Sequence, residues 1–324
     1  GGQRVDRAFK WGLGPYLDGL FTQGNFGIVT QATVALAPKP ACTTGFFFSV
    51  ERNDQLDAVV SAVRSILRSA DSTISAINLM NRHRVLAMIE PYPADAVGGD
   101  GLIERQWIDR MSRRHRVGAW TGAGAMYGDP GVLRAVRRII RRELRGLVSE
   151  LVFLRRRTVG RILTWAKRMP GRYAAQVSRR LATVEAALRN FEGEPSEVAL
   201  PLAYWRSGKT PPRGIPMDPA RDGCGLIWYS PLVPMTSDSV RRYVQTVTRT
   251  CEHHGIEPLI TLTSISDRCF DSTVPILFDR TDRGQCDGAE ACYHALFEAG
   301  QQEGFLPYRV STRAMDKVVK PDLA

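Results

Sequence analysis

Residues 11–30 read Trp11-Gly-Leu-Gly-Pro-Tyr-Leu-Asp-Gly-Leu-Phe-Thr-Gln-Gly-Asn-Phe-Gly-Ile-Val-Thr30. Five glycines fall in this stretch (Gly12, Gly14, Gly19, Gly24 and Gly27), so the backbone can turn sharply and approach a ligand where a Cβ would collide. One carboxylate, Asp18, stands among them. The run passes into Gly27-Ile-Val-Thr-Gln-Ala-Thr-Val-Ala-Leu-Ala37, a β-branched segment bounded by Pro38 and Pro40 that predicts a buried strand. An acid-bearing turn pinned to a sheet is the expectation. An ordinary structural turn accounts for the glycines equally well when they are taken alone.

Outward from this stretch, the chain alternates strand-like and helix-like patterns. Thr44–Val50 predicts a strand, and the apolar positions of Asp54–Arg68 recur at helical spacing with Asp54 placed to cap. Ser72–Met80 and Val117–Tyr127 predict strands, and Pro130 suits the first turn of a helix. In that helix Arg134, Arg137, Arg138, Arg141, Arg142 and Arg145 alternate with Val136, Ile139, Ile140 and Leu144, which gives a solvated basic face. Leu147–Phe153 predicts a strand, 161–167 and 172–190 predict helices, and the proline-rich stretch 192–222 reads as a long excursion. Strands follow at Leu226–Tyr229, Leu259–Ile265 and Val274–Phe278. Helices follow from Ser237 or Asp238 to His253, ended by Gly255, and from Asp287 to Gly300. Two successive β-α-β halves, about 44–146 and 223–312, predict an α+β, two-lobed, ferredoxin-like layer with helices on one face of an antiparallel sheet.

Composition excludes several classes. With 324 residues, 44% of them hydrophobic and 24% charged, the chain can bury a sizeable core and is not wholesale disordered. No apolar run approaches the length of a membrane span, and the first residues do not resemble a signal peptide. The absence of an initial Met leads us to expect a natural start upstream. Six scattered cysteines without a CxxC pair imply reduced thiols, with a cytoplasmic location as the default. The five histidines show no zinc-ligand spacing, so no metal is expected. The net charge of +11 is concentrated between Arg105 and Arg189, where aromatic residues are sparse. A solvated exterior therefore explains it better than nucleic acid does.

The wording of Gly14–Thr30, Gly-Pro-Tyr-x-Asp-Gly-Leu-Phe-x-Gln-x-Asn-x-Gly-Ile-Val-Thr, closely resembles the end of the flavin domain in the vanillyl-alcohol oxidase and para-cresol methylhydroxylase family of FAD-linked oxidases. Two later landmarks resemble the same family in the same order. Asp218-Pro-x-Arg-Asp-Gly-Cys-Gly-Leu-x-Trp-x-Ser-Pro-x-x-Pro-Met looks like a cap-domain strand, and Tyr308-Arg309 followed by Met315-Asp316 looks like the closing substrate-side segment. The resemblance implies that 1–40 is the C-terminal portion of an FAD-binding domain and 41–324 a substrate or cap domain. The half that grips the FAD pyrophosphate would then be missing, and the chain would be a fragment.

The family implies oxidation of a para-substituted phenol or aromatic alcohol by hydride transfer to flavin N5, with O₂ or a cytochrome as electron acceptor. It leaves room for a homo-oligomer. Arg309 and Tyr308 match the family's phenolate-binding pair, although a surface Arg beside a core Tyr is a common arrangement. Asp18 matches the carboxylate beside the flavin's reacting edge, although Asp-Gly is also a common turn. Pro15, Gly24, Asn25, Gly27 and Ile28 would line the isoalloxazine through their backbone. Thr261–Arg280 holds no His or Tyr at the place where some relatives tether the cofactor, so FAD is expected to be non-covalent. Ser311 stands where some relatives carry a His. The alternatives are a flavin-dependent 2-hydroxy-acid dehydrogenase and a catalytically inactive basic binding module.

Overall fold

The computed structural model describes residues 18–22, 26–70, 72–166 and 172–318. The chain divides into two units, Gly1–Pro40 with Arg309–Ala324, and Ala41–Tyr308. In the first unit a short 3₁₀ turn spans Asp18–Phe21, and another spans Thr312–Lys317. Residues 27–40 form no strand, which corrects the expectation for Gly27–Ala37. A strand needs a ladder partner for its N–H and C=O groups, and no strand of this unit is present among the described residues. Ile28 is 92% exposed, and Val34 and Leu36 are exposed with it.

The second unit runs β1 (Cys42–Val50), α1 (Leu56–Ser69), β2 (Ile74–Asn81), α2 (Arg82–Ile89), α3 (Arg105–His115), β3 (Trp120–Gly128), α4 (Pro130–Glu143), β4 (Glu150–Leu154), α5 (Arg156–Ala166) and α6 (Arg172–Phe191). After the excursion, which holds only the short α7 (Pro201–Tyr204), come β5 (Cys224–Tyr229), β6 (Leu232–Pro234), α8 (Ser237–His253), β7 (Thr261–Ser264), β8 (Cys269–Asp279) and α9 (Arg283–Gln302). The strands form one sheet in the order β4-β1-β3-β2-β7-β8-β5, with β6 also paired to β8 and all pairings antiparallel. The first four repeat the ferredoxin-like order, and β2 meets β7 where the two halves join.

The local reasons are legible strand by strand. On β1, Phe46 and Phe48 point to one face, and their partners across the ladder are Gly124 and Gly122 on β3. A Cβ at Gly122 would lie 2.0 Å from Phe48 Cζ, so the glycines let the rings lie flat on the neighbouring backbone. That face is mainly apolar: Phe46, Val50, Ile77, Leu79, Leu262, Phe270 and Val274 are all essentially closed to solvent. Helices α1, α4, α8 and α9 cover it. Helix α1 buries Leu56, Val59, Val60, Val63 and Ile66 as its periodicity requires. Asp129 caps α4 by accepting from the Gly131 N–H at 2.9 Å, with Pro130 in the first turn. Gly255, at φ +63°, ends α8.

On the opposite face, α6 covers the β1 end: Leu188 fills the space above Gly45, and the Phe191 ring stacks on Phe47. The helices α2 and α3, missed in the sequence, pack with the Leu202 and Trp205 segment into a second core around Leu259 and Leu277.

The joint of the halves rests on Asn81. Its Nδ2 donates to the Pro258 carbonyl at 2.6 Å, while its Oδ1 accepts from the Arg84 N–H at 3.0 Å and from the Ile260 N–H at 3.1 Å. One side chain thus caps α2 and extends the β2–β7 pairing. Asn81→Ala removes all three bonds and leaves buried backbone groups unpaired, so we expect a loss of about 3 kcal/mol in urea unfolding of the full-length natural protein.

Candidate functional site

The face of the sheet turned away from α1, α4, α8 and α9 carries two cross-strand rows. The first runs Ser49, Thr121, Met80, Thr261, Thr273, and the second Phe47, Ala123, Asn78, Thr263, Asp271. Because side chains alternate along each strand, the apolar core face and this polar face belong to the same strands. Thr263 donates to Asn78 Oδ1 at 2.6 Å. Thr261 Oγ1 is buried and has no hydrogen-bond partner among the described residues. A buried hydroxyl in that state calls for a polar group laid against it. Trp228 on β5 stands on the same face, paired with Pro275, and is 47% exposed.

Tyr308 is held at the edge of this unit. Its N–H donates to the Ser230 carbonyl at 3.3 Å, Pro231 and Pro307 form a bridge, and the Leu232 N–H donates to Leu306 O at 3.0 Å. Its side chain is 41% exposed. Arg309, the next residue, belongs to the first unit and is exposed, as are Gly27 and Ile28. Asp18 begins the 3₁₀ turn of that unit; its side chain, like Pro15, Gly24 and Asn25, lies outside the described residues.

The landmark 218–223 is a loop lock. Asp218 Oδ1 accepts from the Arg221 N–H at 3.1 Å, and Asp222 takes Arg221 Nε at 2.7 Å and the Tyr204 hydroxyl at 2.5 Å. The Arg221 guanidinium, and after it the Tyr204 hydroxyl, hold the Asp222 carboxyl down at about 2. Lys209 fastens the excursion further through Asp279 at 2.6 Å and the Gly223 carbonyl at 3.0 Å.

Sequence reading passed over a second constellation. A cavity of about 750 Å³ opens beside the β2–β7 joint, lined by His83, Arg82, Ile103, Asp109 and Glu257 among others. Glu257 is buried and accepts the Ile103 N–H at 2.6 Å, which ties down the 97–103 loop. Burial pushes its carboxyl up to about 7. His83 Nε2 lies 3.7 Å from Glu257 Oε2, beyond a hydrogen bond. Burial, and then the Arg82 guanidinium, push the His83 imidazole down to about 4. Both shifts favour the uncharged forms. Among the described residues no group of three or more His, Cys, Asp or Glu is arranged to hold a metal ion, and no helix is long and apolar enough to cross a membrane.

The fold and its polar face define the class: a two-lobed α+β cap with one sheet face closed by helices and the other dressed with hydrogen-bonding groups. No family model matches the chain. The 1'-carboxy-chondrochloren decarboxylase of Chondromyces crocatus is 31% identical over 328 aligned positions, taking in 97% of this chain and 57% of the decarboxylase. The flavoprotein subunit of the hydroxylating 4-cresol dehydrogenase of Pseudomonas putida is 24% identical across 98% of this chain and 54% of the subunit. Two solved structures share the fold. They are p-cresol methylhydroxylase with substrate bound (TM-score 0.77, 23% identity, 98% of this chain and 54% of that one) and the isoeugenol complex of 4-ethylphenol oxidase from Gulosibacter chungangensis (TM-score 0.78, 20% identity, 98% and 55%). The chain spans about half the length of the curated relatives it matches. Over nearly its whole length the chain is similar in sequence and fold to these proteins of the vanillyl-alcohol oxidase and para-cresol methylhydroxylase family.

The seam carries a pH test. The folded value of Glu257, about 7, lies above the ordinary 4.5, so the folded state keeps a proton that the unfolded state has released. Its stabilising contribution is complete below pH 4.5 and is lost as pH rises through 7. Glu257→Gln keeps the acceptor for Ile103 and cannot ionise. The stability of this variant minus that of the parent should therefore grow as pH rises from about 5 to about 8 in urea titrations, while the opposite His83 contribution cancels in the difference.

Proposed function

We propose that this chain supplies the substrate-side portion of an FAD-dependent oxidoreductase that oxidises a para-substituted phenol or aromatic alcohol. The observation that carries this reading is the polar sheet face, with the orphaned Thr261 hydroxyl, in a chain similar to proteins of this family. That face fits a planar group rich in hydrogen-bonding atoms, as the isoalloxazine of FAD is. FAD, when bound, accepts hydride at N5. We take it to be held without a covalent link, since 261–280 offers no His or Tyr. The exposed apolar stretch 26–36 would pair with the sheet of a flavin domain, which would cover Ile28, Val34 and Leu36.

In this reading the chain's own residues perform two tasks. The Arg309 guanidinium, with the Tyr308 hydroxyl as second donor, holds the substrate oxygen as phenolate, and the negative charge pushes electron density toward the para carbon. Losing hydride from the carbon attached there then costs less. Asp18 balances the positive charge that develops on that carbon, or takes a proton from the nucleophile that adds to it. Pro15, Gly24, Asn25, Gly27 and Ile28 approach the cofactor through their backbone. A small aromatic molecule is thus the substrate, with O₂ or a cytochrome as the acceptor.

The 31% identity to a decarboxylase favours one variation, a phenol whose para substituent bears a carboxylate. The comparisons support neither the 2-hydroxy-acid reading nor the inactive binding module.

Turnover by the full-length natural protein of para-cresol, vanillyl alcohol, a para-hydroxyphenyl carboxylic acid and D-lactate separates these readings, and turnover of lactate alone overturns ours. Arg309→Ala should lower kcat/KM on the phenol about 10- to 100-fold, the worth of charged hydrogen bonds. Asp18→Asn should lower kcat about a hundredfold, the scale of a proton-transfer or charge-balancing group. After acid precipitation the yellow colour should stay in the supernatant.

A further inference from the structure

Helix α5 buries Val159, Leu163 and Ala166 against the sheet-side cluster with Leu188. By helical geometry its outermost ridge is then Arg157, Arg161 and Trp165, with Ile162 beside them. Trp165 is 63% exposed and Ile162 38%. The neighbouring Arg156 turns inward to Glu192 and Glu194, whereas Arg157 and Arg161 have no carboxylate partner among the described residues. A notch of about 460 Å³ opens along this ridge, lined by Arg157, Gly160, Arg161, Thr164 and Trp165. A Cβ at Gly160 would meet nothing within 4 Å, so the floor of the notch is open. In the sequence, no Asp or Glu occurs between Glu150 and Glu185, while Arg155, Lys167, Arg168, Arg172, Arg179 and Arg180 continue the basic run before and after the helix.

We propose that the α5 ridge docks on the surface of an anionic phospholipid bilayer, with a lipid phosphate in the notch between Arg157 and Arg161 and the Trp165 indole at the headgroup level. The guanidiniums match the phosphate oxygens, and the indole has an apolar body and a polar N–H suited to the water–lipid boundary. Ile162 adds apolar contact. A second copy of this chain is a poor occupant, because pairing like surfaces would bring unneutralised guanidiniums together. A nucleic acid would engage the charge, yet one indole on a convex ridge is not the aromatic-lined groove that single strands use. An acidic protein would leave Trp165 and Ile162 without the apolar environment that the bilayer boundary offers.

The test is co-sedimentation of the full-length natural protein with vesicles of phosphatidylcholine alone or mixed with phosphatidylglycerol. Binding should require the anionic lipid and weaken as salt is raised. Arg157→Ala combined with Arg161→Ala should weaken vesicle binding roughly thirtyfold, about fivefold for each guanidinium near the surface. Trp165→Ser should weaken it several-fold and abolish the part of the fluorescence quenching by brominated lipids that this indole carries. Both variants change exposed side chains, and circular dichroism and substrate turnover should match the parent. Equal binding to phosphatidylcholine alone, or unchanged binding by both variants, overturns the proposal. So does retention on duplex DNA or polyglutamate without vesicle binding, and so does a Trp165 fluorescence response to inorganic phosphate equal to that produced by vesicles.

Discussion

The pairing of β2 with β7 through Asn78↔Thr263, Leu79↔Leu262 and Met80↔Thr261 is the constraint on which the rest of the second unit depends. Only three residue pairs join the two halves of the sheet, so the joint needs help from side chains. Asn81 supplies it at one end by satisfying backbone groups of both halves, and at the other end the Ser264 hydroxyl accepts from the Ile77 N–H at 2.8 Å. A slip of β7 by one residue here would turn Leu262 out of the core and its neighbours Thr261 and Thr263 into it. Register at this joint therefore fixes which face is apolar across the seam.

That choice of face has chemical consequences. The closed side is sealed with aliphatic and aromatic groups, and its few polar atoms are paired: Tyr243 donates to Ser272, which donates to the Thr261 carbonyl. The open side keeps Thr, Asn and Asp on adjacent strands at a spacing set by the ladder, and a rigid sheet holds such groups more firmly than a loop would. Glycine contributes indirectly: Gly122 and Gly124 let Phe48 and Phe46 pack flat on the core side.

Much of this was legible in the sequence where a periodic signal agreed with a tertiary need. The helices α1, α4 and α8 announced themselves by apolar spacing, and Gly255 marked a helix end that the structure places in the left-handed region. The cap of α1, however, falls on Gln55 rather than Asp54, and Asp129, the cap of α4, went unread beside Pro130. Where local signals were weak, tertiary packing decided. Helix α2 is only eight residues long, and its start was written in Asn81, a capping residue disguised as the end of a strand. The cap of α8 fell on Thr236 rather than Ser237 or Asp238, because Thr236 keeps the extended backbone a cap requires. The stretch 27–37 carried β-branched residues, but no strand stands beside it among the described residues of its unit, and strand propensity without a ladder does not make a strand. The polar sheet face could not be read from motifs, since Thr, Asn and Asp scattered over β2, β7 and β8 become a surface only when register lines them up. The family landmarks were specific in another way: the wording of 218–235 was recognisable, yet its acids and arginine turn out to brace a loop.

The distribution of charge follows one physical rule. At the seam, where Glu257 and His83 lie beside each other, both groups are pushed toward their neutral forms, because a buried carboxylate would forfeit hydration that a hydrogen bond from Ile103 only partly replaces. On the exterior the opposite holds: Arg137 and Arg141 lay their guanidiniums over the Phe153 ring, at 4.7 and 5.2 Å from its centroid, and so cover an aromatic edge while remaining hydrated. Part of the basic excess lies on α4 and α5, which flank β4 in the chain at the far edge of the sheet from β5 and Trp228, and part lies on α3. A sheet seven strands wide in this path separates the two edges by more than a Debye length at physiological salt, about 8 Å, since adjacent strands stand roughly 4.8 Å apart. One fold can therefore keep the α4 and α5 guanidiniums at one edge of the sheet and Trp228 at the other, with the hydrogen-bonding rows between them.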